Sequence, residues 1–409
     1  MDTTQDESSL AIPQEDLWGV GTGLILLSII IRIASYPIET SDYVGFLSNW
    51  FALLASHPGL SAFQNVFSDY TPLYLYFLKI LTFIPAPSLY SIKTLSLSFD
   101  IAIAFFVACI LHLVSKGSFK ASRLYLAGAI MFALPTLLIN SSLWGQSDAV
   151  YAIGCVISLY CILKKRPLLA ALVFGCAVSI KLQAIFFLPV LIGYYLRRSR
   201  DAWYLLCIPG VYIFTLLPAW FAGASFQTLL FTYINQSGEY KDLSVSAPSV
   251  FAFVQQHALT MSDQNTLFFI GIGVAALCAL WVVAVMSRTS ISTPGRTILF
   301  LAMLSTLVVP LFLPRMHERY FYLADIFSTL YALSYPRKWY IAAIVVSASL
   351  ISYMPYLSGQ VALLSSLHID LRIPAGLLLM ALLLMIPDLV AIMRSQGVIG
   401  KGGEYVHSD

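Results

Sequence analysis

Apolar residues run along the chain in blocks of roughly 20, separated by short polar or basic breaks. A helix needs about that many residues to cross the hydrocarbon core of a bilayer. No water is available there, so each crossing has to satisfy its backbone internally, and the blocks are expected as helices. Hydropathy predicts about twelve spans, at 17–37, 92–114, 122–140, 149–163, 167–180, 183–196, 201–222, 264–287, 297–313, 320–335, 338–357 and 371–393. The blocks at 149–163, 167–180 and 183–196 are short for a full crossing and are expected to be tilted, broken or re-entrant around a cavity. One more run, "PLYLYFLKILTFIPA" at 72–86, carries Tyr74, Tyr76, Phe77 and Phe83 with Lys79 in its middle. It is expected to lie against the outer leaflet as an interfacial helix.

The breaks alternate in charge. Lys116, Lys120 and Arg123, then Lys164, Lys165 and Arg166, then Arg197, Arg198 and Arg200, then Arg288 and Arg296, then Arg337 and Lys338, then Arg394 and Lys401 make fifteen of the 23 Lys and Arg. The positive-inside rule puts these breaks in the cytoplasm, with both termini. A crossing at 72–86 would turn the basic loop at 116–123 outward, which is why that run is laid on the surface. The chain then divides into a cytoplasmic tail (1–16), a membrane module (17–222) with a long outer loop (38–91), a second outer loop (223–263), C-terminal spans (264–393) and a cytoplasmic tail (394–409). The first 20 residues are acidic and lack the basic start of a secretory signal, so the first block is expected to stay as a span.

Composition agrees: 59% of the residues are hydrophobic and only 11% charged, far from a soluble domain. The expected class is an all-α polytopic membrane protein, with the lipid bilayer as a partner and no nucleic acid. The six cysteines all fall in apolar runs without a CxxC pair, so neither a disulfide framework nor a metal site is expected.

Against this background four outer segments hold unusual polar sets. "ETSDYVGFLSNW" carries Glu39 and Asp42. "SSLWGQSDAVYA" carries Trp144, Gln146 and Asp148. "SIKLQAIFFLP" carries Lys181. "FLPRMHERYFYLAD" carries Arg315, His317, Glu318 and Arg319. Each has a plainer role: Asp42 and Asp148 as helix caps, Lys181 as a snorkelling side chain, "MHERYF" as an interfacial anchor. Their coincidence at one membrane face favours a site, because charges at such depth are costly and usually functional. A carboxylate beside a cavity can take a proton from an acceptor hydroxyl. Lys181, Arg315 and Arg319 suit a phosphate, whose oxygens match the paired N–H groups of arginine. Tyrosine and tryptophan can stack on a sugar ring. A phosphate at this depth belongs to a lipid, so the set reads as group transfer from a lipid-linked phosphate donor, with charge stabilisation of the leaving phosphate.

At this point the residues resemble a known group. From about residue 36 to 200 the chain is similar to the GT-C glycosyltransferase superfamily, particularly the GPI-anchor mannosyltransferases and their prokaryotic relatives. The similar pieces are "SDY", "DYTPLYLYFLKIL", "LSFDIAIAFFVACILHLV", "LINSSLWGQSDAVYA", "KKRPLLAALVFGCAVSIKLQAIFFLPVLI" and, further on, "LPRMHERYFYLAD". The resemblance implies a GT-C bundle with interfacial helices in the first outer loop. It implies a polyprenyl-phosphate-sugar donor, a phosphomannose by preference, and inverting transfer outside the cytoplasm to a glycan, glycolipid or protein. Its catalytic carboxylate falls on Asp42. Eukaryotic members often carry a DxD there, whereas this chain has Thr40-Ser41-Asp42, which leaves Asp42 as a lone base and no cofactor required, though a divalent metal stays open. Tyr70, Thr71 and Pro72 match the start of the interfacial helix, with Tyr74 one turn on, Asp100 matches an acid within the second span, and Lys181 a lysine at the short-helix junction. Arg315, His317 and Arg319 are expected to approach the donor's phosphate or pyranose, with Glu318 holding one of the cations. The resemblance, with the outer face, points to a bacterial plasma membrane. Two other readings stay open: a transporter or lipid flippase, and a non-catalytic subunit that keeps the fold.

Overall fold

The computed structural model describes residues 14–236, 242–255, 259–288, 295–361, 364 and 369–395. The expected tails at 1–16 and 394–409, Lys401 included, fall almost wholly outside these residues, as does part of the expected loop at 223–263.

Among the described residues, seven helices are long and apolar enough to cross a membrane: Asp16–Ser35, Ser88–Val114, Ser199–Phe221, Met261–Arg288, Gly295–Phe312, Pro336–Ser358 and Arg372–Arg394. Each coincides with a hydropathy block. The block at 122–140 is a broken pair, Ala121–Phe132 and Pro135–Trp144, bent by 48°. Pro135 accounts for the break. Its ring clashes with the preceding turn, and it pushes the residue before it out of the helical region. Leu134 accordingly takes ψ 122°. The protein is therefore an all-α polytopic membrane protein.

The remaining blocks form shorter helices, Asp148–Leu163, Pro167–Ile180, Leu182–Arg197 and Tyr322–Ser334. The 16 residues of Asp148–Leu163 reach about 24 Å, less than the hydrocarbon core. Asp148–Leu163 sits inside the bundle, with nearly every residue buried, whereas Pro167–Ile180 and Leu182–Arg197 each keep an exposed face. It packs against Ser88–Val114 on one side and Pro167–Ile180 on the other. The second contact requires Gly154, where a Cβ would stand 2.7 Å from Ala177 Cβ.

The run at 72–86 forms a ten-residue helix, Pro72–Leu81. It does not only lie on a surface. Tyr74, Leu75, Leu78 and Lys79 are buried, against Pro167–Ile180 among others. Lys79, expected at the membrane interface, turns inward and donates to the carbonyls of Leu54 and His57, both at 2.7 Å. It thereby satisfies orphan carbonyls at the end of helix Ser48–Ser56. The far end of the run, with Phe83 and Ile84, is exposed. At the opposite end of the bundle Arg296 and Lys338 converge on Asp388, at 3.1 and 2.9 Å, tying three of the last helices together. The one small sheet among the described residues pairs Ser244–Val245 in parallel with Met316–His317. It brings the 223–263 region against the "HERYF" stretch.

Candidate active site

Asp42 precedes a π-helical turn, Tyr43–Leu47, that continues into Ser48–Ser56, but its side chain does not cap that helix. Instead Oδ2 accepts hydrogen bonds from Trp144 Nε1 at 3.0 Å and Gln146 Nε2 at 2.5 Å. Arg319 Nη1 stands 3.5 Å from the same oxygen. Tyr356 holds the backbone: its hydroxyl oxygen accepts from Asp42 N at 3.1 Å and Ser41 Oγ at 3.0 Å. Tyr356 also stacks on the buried Trp144 ring, at 4.1 Å and 15°.

Trp144 and Gln146 reach one oxygen because Gly145, between them, takes φ +76°, ψ 27°. That left-handed conformation is free for glycine and strained for other residues. Gly145→Ala is expected to destabilise the protein by about 1–2 kcal/mol. Thermal unfolding in detergent checks this, and an unchanged midpoint would refute it.

Asp148 opens the following helix. Its Oδ1 accepts from Lys181 Nζ and its Oδ2 from Asn140 Nδ2 at 2.7 Å. Lys181 lies at the break between Pro167–Ile180 and the 3-10 turn Leu182–Phe187. It is buried rather than snorkelling. Thr71 binds the carbonyl of Ser179 just ahead of it, which ties the "YTP" turn to this break. Burial alone would lower the Lys181 pKa, but the Asp148 carboxylate raises it, so the ammonium keeps its charge.

Arg319 stands among three carboxylates: Asp42 at 3.5 Å, Glu318 at 3.2 Å and Asp148 at 4.0 Å. Burial opposes its charge, yet Glu318, Asp42 and Asp148 hold its pKa well above the usual value. Its guanidinium also lies over the Trp144 ring, 5.4 Å from the centroid. Glu318 is pushed up by burial against the pull of Arg319.

His317 is pushed down to about 3 by burial and by the positive charges of Arg319 and Lys181. It is a neutral imidazole at neutral pH, a hydrogen-bonding group rather than a cation. An unfolded imidazole takes its proton near pH 6.5. Between there and about 3 the unfolded chain binds a proton that the folded one refuses, so stability falls as pH falls through that window. His317→Asn is therefore expected to lose less melting temperature than the wild type between about pH 7 and about pH 4. Parallel curves would contradict the neutral assignment.

These side chains surround a cavity of about 360 Å³. Of the residues expected from sequence, Asp42, Tyr70, Gln146, Lys181, His317, Glu318 and Arg319 line it. Trp144 and Asp148 stand directly behind, hydrogen-bonded to Asp42 and Lys181. Two others are elsewhere. Tyr74 is fully buried beneath Tyr70, ring centroids 5.1 Å apart, and is a core residue. Arg315 has φ +62°, which turns it away, and its guanidinium lies over Phe268 at 4.4 Å. It lines a neighbouring, mostly apolar cavity of about 260 Å³, with Leu182, Ile185, Phe186, Ile272 and Leu313 in its walls. Gln183, Tyr233, Gln236, His317 and Tyr320 line both cavities, so the polar one and the apolar one share a wall.

Several of these residues were not singled out from sequence. Gln183 and Tyr320 adjoin charged motifs, and that adjacency is a signal. Tyr233, Gln236 and Ser246 come from the 223–263 region, and Tyr356 from an ordinary apolar span. Nothing local marks them; pairing and packing bring them in. Among the described residues, no group of three or more His, Cys, Asp or Glu is arranged to hold a metal ion.

The model of glycosyltransferase family 87 matches residues 67–314, more than half of the chain. The match takes in Tyr70, Trp144, Gln146, Asp148 and Lys181, and stops short of Asp42 on one side and of Arg315–Arg319 on the other. No curated protein matches the chain. The chain, a membrane bundle with a polar cavity at one end, belongs to glycosyltransferase family 87.

Proposed function

We propose that this glycosyltransferase moves a hexose from a polyprenyl-phosphate donor to an acceptor hydroxyl with inversion, with Asp42 as general base. The resemblance to GPI-anchor mannosyltransferases makes mannose the first sugar to test, and a glycan, glycolipid or protein the acceptor. The observation that carries the reading is the pair of adjacent cavities, which share five lining residues. A polar chamber containing a hydrogen-bonded carboxylate suits a sugar and its acceptor, and an apolar chamber beside it suits the donor's lipid chain. Arg315 supplies a cation in the apolar cavity, where the lipid phosphate would lie beside its chain.

The chemistry follows from the orientation of Asp42. Trp144 and Gln146 both bond to Oδ2, so Oδ1 is the oxygen that faces an acceptor. Oδ1 takes the hydroxyl proton as the acceptor oxygen attacks the anomeric carbon from the side opposite the phosphate. The bond from that carbon to the phosphate oxygen breaks, and polyprenyl phosphate leaves with the electron pair. Arg319, Lys181 and Arg315 provide the positive field for the charge that develops there.

In the same proposal the cavity end faces away from the cytoplasm, and the bent and short helices complete about twelve crossings in a bacterial plasma membrane. The basic breaks at the other ends of the helices support that sidedness. The test is transfer of labelled sugar by the purified protein from polyprenyl-phosphate mannose, glucose or galactose, and from nucleotide sugars in parallel, to a membrane glycan extract. Transfer from a nucleotide sugar alone would reject the reading.

A further inference from the structure

Three polar side chains of helix Ser88–Val114 are wholly buried: Lys93, Ser96 and Asp100. Their spacing puts them above one another on one helix face. Polar groups in a membrane span are costly, so a stack of three calls for a function. None of them lines either cavity.

Each grips a segment that carries a cavity residue. Lys93 Nζ donates to the carbonyls of Ser35 and Tyr36 at 3.0 Å and of Ile38 at 2.7 Å, where the first helix ends and turns toward Asp42. Its stem also packs under the Gly145 turn, where a Cβ would meet Lys93 Cγ at 3.5 Å. Ser96 Oγ donates to the carbonyl of Gln146 at 2.6 Å. Asp100 Oδ2 accepts from Arg32 Nη1 at 2.9 Å and Ser141 Oγ at 2.5 Å, and Oδ1 from Tyr322 Oη at 3.1 Å. Arg32 in turn binds Ser141 and Ser142, at 2.6 and 2.8 Å, and the carbonyl of Phe132 at the broken span, at 2.9 Å. The segments bearing Asp42, Gln146 and Arg319 are thus all fastened to one face of one helix.

We propose that Lys93, Ser96 and Asp100 are positioning residues that hold Gln146, Trp144 and Arg319 on the Asp42 carboxylate. The proposal rests on the reading of Asp42 as the base, but its test need not. Ser96 is the informative position, because Ser96→Ala removes one hydroxyl and changes little else. Ser96→Ala is expected to lower kcat about tenfold with KM within about twofold, and Ser96→Thr, which keeps the hydroxyl, to restore kcat to within about threefold. Placed on Gln146→Ala, Ser96→Ala should cost less than about threefold more, because it acts through the residue already removed. Additive losses, or full activity in Ser96→Ala, would overturn the proposal. Hydrogen exchange at 139–148 gives a second arm that needs no turnover. Faster exchange there in Ser96→Ala, with the melting midpoint unchanged, supports the positioning role even if no polyprenyl-phosphate sugar proves to be a donor. Exchange equal to the wild type would overturn it.

Discussion

Asp42→Asn is expected to abolish sugar transfer while the protein still inserts and melts near the wild-type temperature. Asparagine keeps the size of the side chain and an oxygen for Trp144 and Gln146, but it cannot take a proton from a hydroxyl. A positioned general base contributes about 10²–10⁴ in rate, and a loss of that size is predicted in kcat/KM. Arg319 Nη1 stands 3.5 Å from the same oxygen that Trp144 and Gln146 bind, so the substitution also removes one anchor of Arg319. Initial rates with labelled donor, set against the melting midpoint, separate the two effects. Transfer within about tenfold of the wild type would sink the base assignment and leave Asp42 as a packing residue.

Arg319→Met is expected to be the most destabilising single change at the site. It leaves Glu318, 5% exposed along its side chain, beside Asp42 and Asp148 with no guanidinium among them. Removing one partner of a largely buried ion pair costs about 3 kcal/mol or more, because the other charge stays buried. The Arg319 side chain is 16% exposed, so some solvent screening remains and the lower end of that range is expected. Pairing the change with Glu318→Gln should recover part of the loss, since the buried carboxylate is then neutral. Arg319→Lys keeps the charge but loses the planar fork that serves several carboxylates at once, and should lie between the two. Chemical or thermal unfolding in one detergent measures all three. Equal stability of Arg319→Met and wild type would mean that the carboxylates find other partners.

The same fold reading separates this enzyme from a carrier. Carriers concentrate ionisable groups along a midplane pathway. Here the mid-span charges Arg32 and Asp100 are bound to each other and to Ser141, Ser142 and Tyr322, away from both cavities. The charges that line a cavity lie at helix ends and breaks, around Asp42, Lys181 and Arg319.

Much of this was legible along the chain, and the reasons differ from residue to residue. The long spans are written in runs of apolar residues, because the bilayer demands about 20 of them in sequence regardless of what they pack against. The polar clusters around Asp42, Trp144–Asp148, Lys181 and His317–Arg319 were visible because a charge in so apolar a chain needs a reason. Direction was not visible. Arg315 and Arg319 lie four residues apart, yet a left-handed backbone sends the first over Phe268 and a 3-10 turn sends the second to Asp42. Tyr70 and Tyr74 are equally spaced tyrosines on one short helix and its entry, yet one lines the cavity and the other is core. Lys79 looks interfacial in sequence, and it is the end of Ser48–Ser56 that draws it inside to fill two carbonyls. Composition and hydropathy alone determined that the chain is a helical membrane protein with an uncommon concentration of charge at a few breaks. Only the tertiary structure decided which of those charges meet, because hydrogen-bond geometry over a few ångströms depends on backbone turns such as Gly145 and on segments more than 100 residues apart, such as Asp42 and Gln146.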